Sequence, residues 1–218
     1  MSTIDHVTFE VSDPTAADAF YRAAFGLGDR VRVRAAPAPT TGFRGFAMSL
    51  VVSQPSTVDS LFGTALDGGA TTLKPAARSF WGYGGVLRDP YGTIWKIASS
   101  AKKDTAPAHR RVDDVVLLLG ATDVAVSRQF YVGRGLSVAK SFGRRYVEFA
   151  TSGITLAMYG RRAAAKDVGV PPEGTGSHRL AIGGTAGTFT DPDGFAWEAV
   201  PGPYAVSTAP TGGLESGR

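Results

Sequence analysis

The sequence predicts an α+β chain built from two copies of one module, each a strand, a helix and then further strands. Three observations carry this. Glycine and proline, 28 and 13 of 218 residues, punctuate short apolar runs. Four landmarks recur in the same order in the two halves of the chain. Apolar residues make up 43% and charged residues 19%, enough to bury a core over most of the length.

The first landmark is a strand. Residues 4–11 and 112–119 are β-branched and apolar-rich and are bounded by turn residues. The second is a helix. Asp13-Pro14 supplies a cap and a proline at the first helical position, and Ala17, Phe20, Tyr21 and Ala24 share one face. Thr122-Asp123 opens its counterpart, with Val126, Phe130 and Tyr131 expected to point inward. The third is a glycine stop, Gly26 and Gly135, each expected as a left-handed cap. The fourth runs Asp89-Pro90-Tyr91-Gly92-Thr93-Ile94-Trp95-Lys96 in one half and Asp191-Pro192-Asp193-Gly194-Phe195-Ala196-Trp197-Glu198 in the other. Its tight turn places glycine where positive φ is tolerated.

Further extended stretches are expected at 43–52, 84–88 and 93–98, with a helix at 55–67. The second half offers 144–150, 153–159, 178–183 and 195–200. The modules then occupy 1–99 and 112–201, joined by a polar linker, 100–111. The tail, 202–218, is rich in Gly, Pro, Ser and Thr and is expected to be disordered. Between Tyr159 and His178 the second copy is abbreviated. That stretch reads as a loop over a pocket, with a weak helix signal at 161–168.

Composition excludes several classes. No run approaches the roughly 18 apolar residues of a membrane helix, and the first residues lack a basic segment followed by an apolar one. A cytoplasmic location and no membrane partner are expected. Zero cysteines exclude disulfide frameworks, thiolate metal sites and cysteine nucleophiles. The net charge of +4 is a weak field over this length, and no nucleic-acid motif accompanies it. The basic pairs at 102–103, 110–111, 144–145 and 161–162 read as separate solvated faces.

The opening Ile4-Asp5-His6-Val7, the helix with Phe20-Tyr21 leading to Phe25-Gly26-Leu27, and the closing Asp-Pro-x-Gly-x-x-Trp runs resemble the vicinal oxygen chelate superfamily. That superfamily includes glyoxalase I, bleomycin-resistance proteins, fosfomycin-resistance enzymes and extradiol dioxygenases. The resemblance implies two tandem βαβββ modules whose curved sheets enclose a shared cavity. It implies metal ligands on the first strand of each module and on the strand after the Asp-Pro-x-Gly turn. Transferred to this chain, those positions are His6, Lys96, Asp114 and Glu198. Lys96 departs from the usual glutamate, and a protonated lysine cannot ligate.

Two arrangements follow from the resemblance. In one, His6, Asp114 and Glu198 form a three-ligand site for one divalent metal (Fe, Mn, Ni or Zn). In the other, Lys96 replaces the metal and pairs with Asp114 and Glu198, so that no cofactor is needed. Phe80, Trp81 and Tyr83, with Tyr159, are the candidate ligand-binding aromatics, and core packing is the competing role for each. His178 reads as structural and His109 as solvated.

The functional expectation is a glyoxalase- or bleomycin-resistance-like protein holding a small aromatic or oxygen-rich molecule between modules, as a monomer or homodimer. The alternative is a metal-dependent lyase or isomerase, or a ring-cleaving dioxygenase, using His6, Asp114 and Glu198. A metal-free enzyme with Glu198 as general base and Lys96 as its electrostatic partner lies between them.

Overall fold

Two capped helices organise the chain. In the computed structural model, which describes residues 2–36, 39–107 and 109–200, the first half runs β1 (Ser2–Val11), α1 (Pro14–Phe25), β2 (Val31–Ala35), β3 (Thr40–Gly42), β4 (Phe46–Val51), α2 (Pro55–Asp67), β5 (Thr71–Ser79), β6 (Gly82–Arg88) and β7 (Ile94–Ser99). The second half runs β8 (Asp114–Ala121), α3 (Val124–Gly133), β9 (Val138–Ser141), β10 (Tyr146–Phe149), β11 (Thr151–Gly153), β12 (Thr155–Gly160), α4 (Arg161–Val168), β13 (Gly174–Gly176), β14 (Leu180–Gly184), β15 (Phe189–Thr190) and β16 (Ala196–Ala199). The expected tail lies outside the described residues. Among the described residues, no helix is long and apolar enough to cross a membrane.

The Asp13 carboxylate accepts the amide of Ala16 at 3.0 Å, and Gly26 closes α1 in the left-handed region at φ 61°. Asp123 caps α3 in the same way. Its far end departs from expectation. The helix stops at Gly133 with Arg134 as cap, and Gly135 lies one residue beyond, at φ 86°. Val126 also turns outward and is 55% exposed, because the buried stripe of α3 is Val124, Ser127 and Tyr131.

An eight-stranded sheet has the order β5-β6-β7-β4-β8-β12-β10-β9. Its halves are two complete βαβββ modules. In each, the first strand lies parallel to the last: β4 to β7 and β8 to β12. The two first strands meet antiparallel at the centre, from Phe46 opposite Leu119 to Val51 opposite Asp114. A six-stranded sheet takes the order β11-β1-β14-β16-β15, with β2 also on β1. The α+β class and the tandem βαβββ modules are therefore present.

The module limits differ from 1–99 and 112–201. Strand pairing draws the complete modules at 46–99 and 114–160. Those earlier limits mark a repeat of halves, each holding one complete module and one shortened one. β1 cannot join the first half's complete module, because β4 is already flanked by β7 and β8. It pairs instead with β14, from the far end of the chain.

The two sheets share one core. Phe9 of β1 lies 5.8 Å from Trp95 of β7 and 6.1 Å from Phe46 of β4, ring centre to ring centre, and α1 packs on α2. Side chains that alternate with these point away from the core on the two outer faces.

The recurring landmarks are explained by two buried carboxylates. Asp89 Oδ2 accepts from the Tyr21 hydroxyl at 2.8 Å and from the Trp95 indole at 2.9 Å, while Oδ1 accepts the amides of Tyr91 and Thr93. Asp191 takes the Tyr131 hydroxyl at 2.6 Å and the amides of Asp193 and Phe195, and the Trp197 indole donates to Tyr131. Burial pushes the Asp89 carboxyl up from its ordinary value, against the pull of these donors. Tyrosine, aspartate and tryptophan recur because each is one partner in the same node.

The linker is held down. Gln54 Oε1 accepts the amides of Thr105 and Ala106, and its Nε2 donates to the carbonyls of Ala106 and Pro107. His109, expected to be solvated, is half-buried and bonded to Ser53.

Asp89→Asn would turn an amide NH2 toward donors or leave two donors unpaired. It is expected to cost about 1–3 kcal/mol in urea unfolding. A loss below about 0.5 kcal/mol, typical of neutral surface changes, would contradict the node. Cutting the chain at Thr105 should give halves that fold only together, since β1 needs β14 and β4 needs β8. Cooperative, native-like unfolding of either half alone would contradict the shared core.

Candidate functional site

The outer face of the eight-stranded sheet carries the polar residues that its inner face excludes, together with Tyr146 and Tyr159. One row across it runs Val86, Lys96, Ser49, Val116 and Thr155, set by the register of β6, β7, β4, β8 and β12. The next row carries Ala98 and Asp114, whose carboxylate accepts the Thr155 hydroxyl at 3.2 Å.

Helix α4 lies on this face. Its Ala164, Ala165 and Val168 pack with Phe43, Ala47, Val86 and Ile94 in a second apolar cluster. The Lys74 ammonium donates to the carbonyls of Lys166 and Asp167, compensating the negative end of the helix. Lys96 Nζ meets Asp167 Oδ2 at 2.8 Å. At the other end, Arg161 donates to the carbonyls of Phe43 and Pro172. The segment read as a loop with a weak helix signal is thus a pinned helix over the sheet.

Two cavities open beside it. One of about 370 Å³ is bounded by Trp81, the glycine-rich stretch 82–85, Lys74 and Ala98. The other, about 170 Å³, is bounded by Ser49, Val116, Leu118, Tyr146, Ala157 and Tyr159. Lys96 and Asp167 line both. Tyr146 and Tyr159 stand 4.9 Å apart, ring centre to ring centre, and burial first raises both hydroxyl pKa values, keeping them protonated donors at neutral pH. Arg144, Arg145, Arg161 and Arg162 converge with Tyr159 around an open hollow of about 690 Å³. The two arginine pairs expected as separate faces are neighbours, because β12 leads directly into α4.

The six-stranded sheet has a different outer face. His6 and Glu198 flank Gly183 across β1, β14 and β16. The His6 ring lies over Gly183, where a Cβ would come within 2.2 Å of the imidazole. Its Nε2 is 3.4 Å from Arg32 Nη1, and its buried Nδ1 has no hydrogen-bond partner. Burial, then Arg32, lowers the His6 pKa. Arg34 ties Glu198 to Glu10.

No family model and no curated protein matches the chain. Solved structures do. Glyoxalase I from Zea mays is similar over 91% of this chain and 92% of its own, at 14% identity and a TM-score of 0.58. A candidate dioxygenase from Bacillus subtilis is similar over 83% of this chain and 69% of its own, at 14% identity and 0.51. The chain has the fold of glyoxalase I. At this identity the likeness is one of fold.

That fold poses the metal question directly, and the residues do not fit a metal. Lys96 and Asp114 sit on the outer face of one sheet, and His6 and Glu198 on the outer face of the other, with the shared core between them. The expected His6–Asp114–Glu198 site therefore does not assemble. The expected cluster of Lys96 with Asp114 and Glu198 does not form either; Asp167 is the partner of Lys96. His6 and Glu198 each face an arginine, which opposes a divalent cation. Among the described residues, no group of three or more histidine or carboxylate side chains could hold a metal ion.

The aromatic candidates divide. Trp81 and Tyr159 line the cleft. Tyr83 edges it, but its hydroxyl donates to Asp59 of α2 on the inner side. Phe80 stands at the hairpin tip, 81% exposed, beneath the Lys102 ammonium. Sequence reasoning missed Asp167 and Tyr146, which carry no local signal. His178 is structural as expected, bridging the carbonyls of Arg44 and Asp193.

His6 supplies a pH test. Its folded pKa lies below the unfolded value, so the unfolded chain binds the extra proton first and stability falls as pH drops through about 6.5. His6→Gln is expected to flatten the stability profile between pH 7 and 5. An unchanged slope would show that His6 is not held neutral.

Proposed function

We propose that this chain is a small-molecule-binding protein whose ligand, a flat molecule, lies on the outer face of the eight-stranded sheet beside Lys96 and works without a metal. The observation that carries the reading is the convergence of two cavities on Lys96. They lie between the Trp81 hairpin on one side and the Tyr146–Tyr159 pair on the other. Rings on both walls suit a planar ligand, which gains stacking as well as apolar burial. Lys96 stands on the last strand of its module, where a divalent ion would meet its ammonium. Among the described residues, neither face brings together three histidine or carboxylate side chains that could hold a metal ion, which supports the metal-free reading over the lyase or dioxygenase one.

Tryptophan emission reports on this site. Trp95 and Trp197 are buried, whereas Trp81 is 84% exposed. A panel of planar aromatic compounds, neutral and anionic, should yield members that change Trp81 emission saturably. Tyr159→Ala should weaken them about tenfold, equivalent to about 1.4 kcal/mol. Binders unaffected by both Tyr159→Ala and Trp81→Phe would place the site elsewhere. A saturable rise in melting temperature with Fe, Mn, Ni or Zn would overturn the metal-free reading.

A further inference from the structure

We infer that Asp167 is a stand-in for the ligand's own anionic group: the cleft takes a planar aromatic carboxylate, which displaces Asp167 from Lys96 and joins the two cavities into one site. This rests on the binding reading above and adds the ligand's charge class and its competitor.

Four observations point the same way. Lys96 Nζ already holds a carboxylate oxygen at 2.8 Å, so the geometry of a carboxylate on this ammonium is present in the molecule. That ion pair lines both cavities, so it stands where they meet. Its side chains are 35% and 36% exposed, and pairs this open contribute little and exchange readily. Asp167 also sits in the last turn of α4, where the helix dipole disfavours a negative charge. The helix does not depend on that side chain for its place. Lys74 holds its carbonyls, Arg161 its first turn, and three apolar residues its underside.

The surroundings favour an anion. Lys74 and Arg78 line the larger cavity, and Arg144, Arg145 and Arg162 edge the neighbouring hollow at Tyr159. A carboxylate entering by the larger cavity passes Lys74 and Arg78 before it reaches Lys96; on the other side Glu148, which takes the Tyr146 hydroxyl, is itself paired with Lys140. The acidic residue on the walls of the two cavities is Asp167 itself. An aromatic body would then lie along the sheet between the Trp81 and Tyr159 walls, with its carboxylate on Lys96.

The test compares 2-naphthoate with 2-naphthamide, planar probes of nearly equal size that differ in charge, by calorimetry and Trp81 emission. The parent is expected to prefer the acid about tenfold. Asp167→Asn, close to isosteric, should tighten the acid a further three- to tenfold and leave the amide unchanged. Lys96→Met should erase the preference while the amide still binds. Asp167→Ser serves as a second variant if Asp167→Asn melts early. If the acid is unchanged or weakened by Asp167→Asn and Asp167→Ser, or if the amide gains equally, the inference falls and the binding reading stands. If neither probe binds the parent or any variant, both fall.

Discussion

The antiparallel pairing of β4 with β8 is the constraint on which the site depends. It sets the first strands of the two complete modules side by side, so each last strand, β7 and β12, flanks the pair. The register then decides which residues share a row. With Ser49 opposite Val116, Lys96 and Thr155 fall in line on the outer face, while Met48, Leu50, Val115 and Leu117 enter the core. A slip of one residue would exchange the faces of β4 and bury Ser49 in place of leucine and methionine. The cleft and the core are thus two readings of the same six residue pairs.

The two sheets end differently because only one has walls. In the eight-stranded sheet, the hairpins β5–β6 and β9–β10 extend the module edges and carry Trp81 and Tyr146. The shortened modules contribute little beyond first and last strands, so among the described residues no comparable walls rise around His6. It is covered instead by arginine–glutamate pairs, with His6 laid flat over Gly183. The hairpin that is present there, β15–β16, begins with a strand of only two residues.

Much of the fold was legible in the sequence, and for a physical reason. The Tyr, Asp-Pro-x-Gly and Trp landmarks are demanded together by one buried carboxylate node, so they recur as a set. The helix at 55–67 was readable from its proline start and apolar spacing. Of the strands that escaped, β3, β13 and β15 have only two or three residues, while β2, β5 and β9 are largely exposed and carry basic residues, so apolar content did not mark them, although Val31-Arg32-Val33-Arg34 alternates cleanly. The site was legible only in part. Lys96 and Tyr159 stood out by position, but which sheet each strand would join depends on pairings between strands far apart in the chain, Ser49 with Val116 and Ile4 with Gly184 among them. No local pattern distinguishes β1 joining β14 from β1 joining β4. Asp167 had no signal, since a lone aspartate in a short polar helix is an ordinary surface residue until the helix is laid on a lysine.

The pairing of β1 with β14 has a consequence during synthesis. Ile4 finds its partner at Gly184, so the first strand made is among the last to be completed. At about 5–20 residues per second, it waits on the order of ten to forty seconds for that partner to be made. Meanwhile β1 has β2 on one edge and Phe46 and Trp95 against Phe9, while its other edge waits open for β14. The central module, 46–99, already contains its own first and last strands, but β4 keeps one edge open until β8 is made. The two halves therefore become native together rather than in turn, as β8 and then β14 reach the strands waiting for them.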